Sequence, residues 1–157
     1  MNRILVGAVV ALALGVAWQT VHLLAGGPPR VNILRPGFVL PANLAFEEEC
    51  WTGYFVMPDC EGCRQLVERA HEREDLRWIM VGKRASIDSL LRRFPIQRGQ
   101  VRIALEQQGE PNPLTEIGVK GVPTRISASG SKVVRVRAGG TVIPGDSTRF
   151  ACSQKPE

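Results

Sequence analysis

The chain has 157 residues, 44% of them hydrophobic, with 20 Lys/Arg against 15 Asp/Glu and a formal net charge of +5. That length suits one compact domain plus an accessory segment, and so modest a positive balance affects solubility more than it selects a partner. No run of like charge and no basic patch interleaved with aromatics occurs along the sequence, which argues against nucleic-acid binding.

In chain order, the first predicted element is a membrane span. Ile4–Leu24 carries no charged side chain and, at about 20 residues, is long enough to cross a bilayer. Trp18, Gln19, Thr20 and His22 give it an interfacial end. Its length favours a retained anchor over a secretory signal that is removed. The nearest small-residue site, Ala25-Gly26-Gly27, is followed at once by Pro28, a poor place for cleavage. Residues 1–27 are therefore read as anchor or signal. Residues 28–43, with Pro28, Pro29, Pro36 and Pro41, read as a semi-extended linker that cannot continue a helix. Residues 44–157 read as the folded domain, beginning between Leu40 and Cys50.

Within the domain, strands alternate with helices. Trp51–Met57 has the aromatic and β-branched content of a buried strand. A Pro58-Asp59 break follows, and Cys60 then opens a helix predicted over Cys60–Glu74. Cys63, Leu66, Val67 and Ala70 form its apolar i, i+3, i+4, i+7 stripe. Arg77–Val81 is a second strand. Ser86 is placed to cap a helix with stripe Ile87, Leu90, Leu91 and Phe94, closed by Pro95. Val101–Leu105 is a third strand, Gly109–Pro113 breaks the pattern, and Leu114–Ile117 reads as one helical turn. Thr124–Ala128 and Val133–Val136 flank Ser129-Gly130-Ser131-Lys132 as a hairpin. Alternating strands and helices ending in a hairpin predict an α/β fold with a mixed parallel and antiparallel sheet.

The chemistry centres on Cys60-Glu61-Gly62-Cys63. A Cys-x-x-Cys at a strand-to-helix junction places the first sulfur near the free N–H groups and positive end of the helix dipole, which favours the nucleophilic thiolate. The spacing sets the second sulfur one turn away, within reach to close or resolve a disulfide. Arg64 favours the charged form of Cys60, while Asp59 and Glu61 oppose it, a balance that leans toward a reductant or mild isomerase. Cys50 and Cys152 are expected to form a structural disulfide that ties down the C-terminus. Four cysteines in a small domain suit an oxidising compartment, hence a domain facing the periplasm or the extracellular side.

Other chemistries fit less well. A zinc site would need a second close-spaced cysteine pair, and covalent haem attachment would need histidine where Arg64 stands. Thiolates suit Cu(I), but no methionine or histidine cluster accompanies them, so no cofactor or metal is expected. His71 reads as a partly exposed helix residue, Trp51 and Trp78 as strand core, and Arg92, Arg93 and Arg98 as a solvated face.

Gly121-Val122-Pro123-Thr124 adds a second landmark: a proline between a glycine turn and a strand is a candidate cis X-Pro bond. Together with Cys60-x-x-Cys63, this motif resembles the thioredoxin superfamily, over roughly Leu44 to Gly140. With the N-terminal span, the chain resembles its membrane-anchored, envelope-facing members. The resemblance implies a mixed central sheet flanked by helices, Cys60 as the attacking thiol and Cys63 as the resolving one. It further implies Pro123 as the cis-proline and Val122 as the residue whose backbone meets substrate. The partners implied are protein thiols and disulfides, and a membrane redox protein that recharges the site. The sequence departs from the family at Tyr54, where an acidic residue is common, and at Asp59, where tryptophan is common. Thr141–Glu157 lacks the apolar stripe of a closing helix, so the C-terminal helix is expected to be missing or short. The alternative function is a non-catalytic binding or assembly module that uses the Val122-Pro123 groove, or a Cu(I)-handling thiol protein.

Overall fold

The computed structural model describes residues 33–139. The expected anchor Ile4–Leu24, the tail 140–157 and Cys152 lie outside the described residues. Among the described residues no helix is long and apolar enough to cross a membrane.

Five strands form one sheet: β1 (Trp51–Val56), β2 (Leu76–Gly82), β3 (Val101–Leu105), β4 (Thr124–Ser129) and β5 (Lys132–Ala138). Their order is β3-β2-β1-β4-β5. β1 is parallel to β2 and β2 to β3, whereas β4 is antiparallel to both β1 and β5. Three helices complete the fold: α1 (Glu61–Ala70), α2 (Arg84–Arg93) and the short α3 (Pro113–Ile117). The sequence-predicted alternation and mixed sheet are both present.

Every residue of β1 is buried, because neighbours flank both edges and layers cover both faces, which is why it reads as a near-continuous apolar run. Alternation then sorts its side chains. Tyr54 and Val56 join Leu76, Trp78 and Met80 beneath the apolar stripes of α1 and α2. Trp51 and Phe55 face the opposite layer with Ile79, Val81 and Ile126.

That second layer differs from the sequence reading. Leu34 and Leu40, read as part of a linker, are buried in the core alongside Leu44 and Phe46 at the start of the expected domain. Leu34 N–H donates to Gly118 O, Gly37 N–H to Val133 O and Leu40 N–H to Ser131 O. Prolines do keep this strap out of helix, but they leave it free to lie extended along β5 and satisfy its backbone there.

Two helix ends also differ. α1 stops at Ala70 rather than Glu74, since its apolar stripe ends there and the chain must turn to start β2 at Leu76. Arg73 and Asp75 pair across that turn, with Nη2 to Oδ2 at 2.6 Å. α2 begins at Arg84 with Lys83 at its N-cap, so Ser86 lies within its first turn and caps nothing. β2 runs on to Gly82, whose φ of +147° swings the chain straight into the helix.

Candidate active site

Cys60 is the N-cap of α1, in extended conformation (φ −92°, ψ 118°). Its sulfur accepts a hydrogen bond from Cys63 N–H at 3.3 Å, so a free helix donor points at the atom that must carry negative charge. Cys60 is partly exposed, whereas Cys63 is fully buried. The two thiols are therefore unequal: one meets solvent, and the other faces the core formed by Tyr54, Val56, Leu66, Val67 and Trp78. Burial, followed by its interaction with Cys60, pushes the Cys63 thiol up from 9.0 to about 12, because an apolar shell disfavours the thiolate.

The charged residues around Cys60 pair with one another. Arg64 and Glu61 form an exposed ion pair, and this contact holds the Glu61 carboxyl below its ordinary value. The positive charge of Arg64 is thus shared with Glu61 rather than reserved for Cys60. Asp59 and Glu61 continue into an open groove of about 490 Å³ between α1 and α2, also lined by Arg64, Ser86 and Arg93. Arg93, read from sequence as part of a solvated face, is exposed but borders this groove. His71 is the C-cap of α1, partly exposed as expected, with Nδ1 3.0 Å from Glu68 O.

On the other side of Cys60 lies the loop before β4. The Val122-Pro123 peptide is cis. Cys60 Sγ is 3.8 Å from Val122 O, and a Cβ placed on Gly62 would lie 3.9 Å from Pro123 Cδ. Four residues singled out in the sequence, Cys60, Cys63, Val122 and Pro123, are thus brought together from positions some 60 apart. Pairing of β1 with β4 does this: Phe55 opposes Thr124, so the end of β1 and the start of β4 deliver their loops to one edge. Tyr54, where an acidic residue was the family expectation, is buried and stacks on Trp78 with ring centroids 5.7 Å apart.

Cys50 is in a disulfide, whereas Cys60 and Cys63 carry free thiols. Its expected partner Cys152 lies outside the described residues. Also among the described residues, no group of three or more His, Cys, Asp or Glu side chains is arranged to hold a metal ion.

No protein-family model and no curated protein matches the chain. Solved structures do. The thioredoxin domain of a thiol-disulfide oxidoreductase from Bacteroides vulgatus is 15% identical over 68% of this chain and 91% of its own, with a TM-score of 0.45. A secreted Mycobacterium tuberculosis disulfide oxidoreductase, homologous to E. coli DsbE, is 12% identical over 69% and 85%, with a TM-score of 0.43. StoA from Bacillus subtilis is 14% identical over 61% and 77%, with a TM-score of 0.41. The deciding observation is internal to this chain: a β3-β2-β1-β4-β5 sheet with a dithiol opening the helix after β1 and a cis-proline entering β4. The fold is thioredoxin-like. Within that thioredoxin-like frame, α1 supplies both sulfurs and the β4 loop walls one side of them. The α1–α2 groove opens on the other side.

Proposed function

We propose that this protein is a thiol–disulfide oxidoreductase acting on protein cysteines outside the cytoplasm, with Cys60 attacking and Cys63 resolving. The observation that carries the reading is the inequality of the two sulfurs: Cys60 is a partly exposed N-cap receiving a helix N–H, one turn from a fully buried Cys63. In the reducing direction, the Cys60 thiolate attacks one sulfur of a client disulfide. A Cys60–client S–S bond forms, and the other client sulfur leaves with the electron pair and takes up a proton. The Cys63 thiolate then attacks Cys60 Sγ, closing the internal disulfide and releasing the second client thiol. Two electrons and two protons have passed to the client, so an external dithiol, proposed to be a membrane redox partner, must restore the pair. The Val122 backbone, which already borders Cys60 Sγ, would meet the client chain.

The Glu61–Arg64 pair supports a lean toward reductant or isomerase, since Arg64 is not reserved for stabilising the Cys60 thiolate. An N-terminal anchor over Ile4–Leu24 and a Cys50–Cys152 disulfide complete the proposal, both in keeping with an oxidising compartment. The test is the reduction potential of the Cys60/Cys63 pair, equilibrated against glutathione. A value of about −270 mV is expected for a reductant, whereas about −120 mV would make it an oxidant. Failure to form a reversible disulfide, with partner binding unchanged in Cys60→Ser, would replace the enzyme with a binding module.

A further inference from the structure

The loop that walls one side of Cys60 runs from Gly118, the C-cap of α3, to Thr124 at the start of β4, and Lys120 and Gly121 within it are exposed. Strand pairing sets its β4 end: Thr124 opposes Phe55 on β1 and Ala138 on β5, and Gly139 N–H donates to Pro123 O at 2.9 Å. Its other end hangs on α3, which spans only Pro113–Ile117. A helix that short is stable through tertiary packing rather than through its own hydrogen bonds. Its last turn closes on itself, with Gly118 in the left-handed region at φ +82° and Val119 N–H donating to Leu114 O at 2.8 Å.

The strap ties this turn to the sheet. Leu34 N–H donates to Gly118 O at 3.0 Å, and the Leu34 side chain is buried in one cluster with Leu114, Ile117 and Val119. Further along, the strap is bonded to β5 and its turn: Gly37 N–H donates to Val133 O at 2.7 Å, Val133 N–H to Phe38 O at 2.8 Å and Leu40 N–H to Ser131 O at 2.8 Å. It therefore braces α3 against the hairpin. Val122 extends the brace to the dithiol. Its half-buried side chain packs against the strap-side cluster and also against the cluster that holds Cys60 and Cys63, and its carbonyl oxygen is 3.8 Å from Cys60 Sγ.

We propose that Leu34 is a positioning residue for client capture: by burying its side chain with those of α3 and bonding Gly118, it holds the Val122 backbone beside Cys60, where a client chain must lie for its disulfide to meet that sulfur. The inference rests on the exchange reaction proposed above and adds a residue that acts through the loop rather than at the sulfur. Leu40 separates this role from plain stability. It is buried as deeply, 2% exposed against 7% for Leu34, and belongs to the same cluster. Its backbone bond, however, goes to Ser131 at the hairpin turn and not to the α3 end of the loop.

The test follows disulfide exchange of the full-length reduced protein with two probes. Insulin supplies polypeptide disulfides, whereas 2,2′-dithiodipyridine needs only the Cys60 thiolate. The readout is the ratio of the two rates, because a change in the thiol itself moves both. Leu34→Ala should lower the ratio about tenfold, within the roughly hundredfold that a misplacement of about 1 Å can cost. Leu34→Val leaves a smaller void, should lower the ratio less, and serves where Leu34→Ala fails to fold. The volume-conserving Leu34→Met should keep the wild-type ratio. Leu40→Ala should leave the ratio unchanged while its midpoint in urea falls. A ratio unmoved in both Leu34→Ala and Leu34→Val, or lowered as much in Leu40→Ala, overturns the inference. Failure of the exchange function itself reads out separately, as an inability of 2,2′-dithiodipyridine to close the Cys60–Cys63 disulfide in the unsubstituted protein.

Discussion

Cys60 and Cys63 are one helical turn apart, yet only Cys60 reaches solvent, and Cys63 is fully buried. The apolar stripe of α1 made that division legible in the sequence, since Cys63 shares it with Leu66, Val67 and Ala70, and all four are buried. The pairing of Arg64 with Glu61 was not legible, because three charged neighbours of Cys60 admit several pairings until rotamers are fixed. The burial of Cys63 also sets a pH dependence. With Cys63 at about 12 in the fold against an ordinary 9.0, the unfolded chain loses this proton first as pH rises. Folding stability of the reduced protein should therefore be fully present below about pH 9 and fall progressively toward pH 12, by on the order of 1–4 kcal/mol from this group. Urea unfolding at stepped pH checks it: the fall should be shallower in Cys63→Ala, and equal slopes would mean that Cys63 is not shielded in the native state.

At the scale of elements, β3 matches its sequence reading at both ends, Val101–Leu105, because turn residues bound it closely. The end of α1 and the start of α2 shifted because strand pairing, which no local signal reports, decides where β2 begins and ends. Register also explains Gly53 in the middle of β1, a residue that local preference would count against a strand. A Cβ there would lie 2.6 Å from Arg77 O on the paired strand and 3.0 Å from the Trp51 ring. Backbone cannot move aside as a side-chain tip can, so Gly53→Ala should destabilise by about 1–3 kcal/mol. The midpoint in urea should drop with an unchanged slope; an unaltered midpoint would mean that the β1–β2 spacing relaxes freely.

Across the whole molecule, the strap from Leu34 onward secures the β5 side of the sheet. The strap lies along β5 through Gly37 and Leu40, and the hairpin turn is clasped by Trp51, whose indole donates to Gly130 O at 2.8 Å. The α1-side face of that hairpin carries Arg125, Arg135 and Arg137 rather than apolar side chains, so it gives a closing helix little to bury. This agrees in chemistry with a sequence that lacks an apolar stripe after Thr141. Cys50, next to Trp51 at the start of β1, is disulfide-bonded. If Cys152 is its partner, the bond closes a loop of about 100 residues and restrains the unfolded chain by roughly 3–5 kcal/mol. The double variant Cys50→Ala/Cys152→Ala, which avoids leaving an odd thiol to mispair, should lose about that much stability in urea while retaining the Cys60/Cys63 exchange. A loss well under 1 kcal/mol, or peptide mapping that joins Cys50 to another cysteine, would show that the tail is secured in some other way.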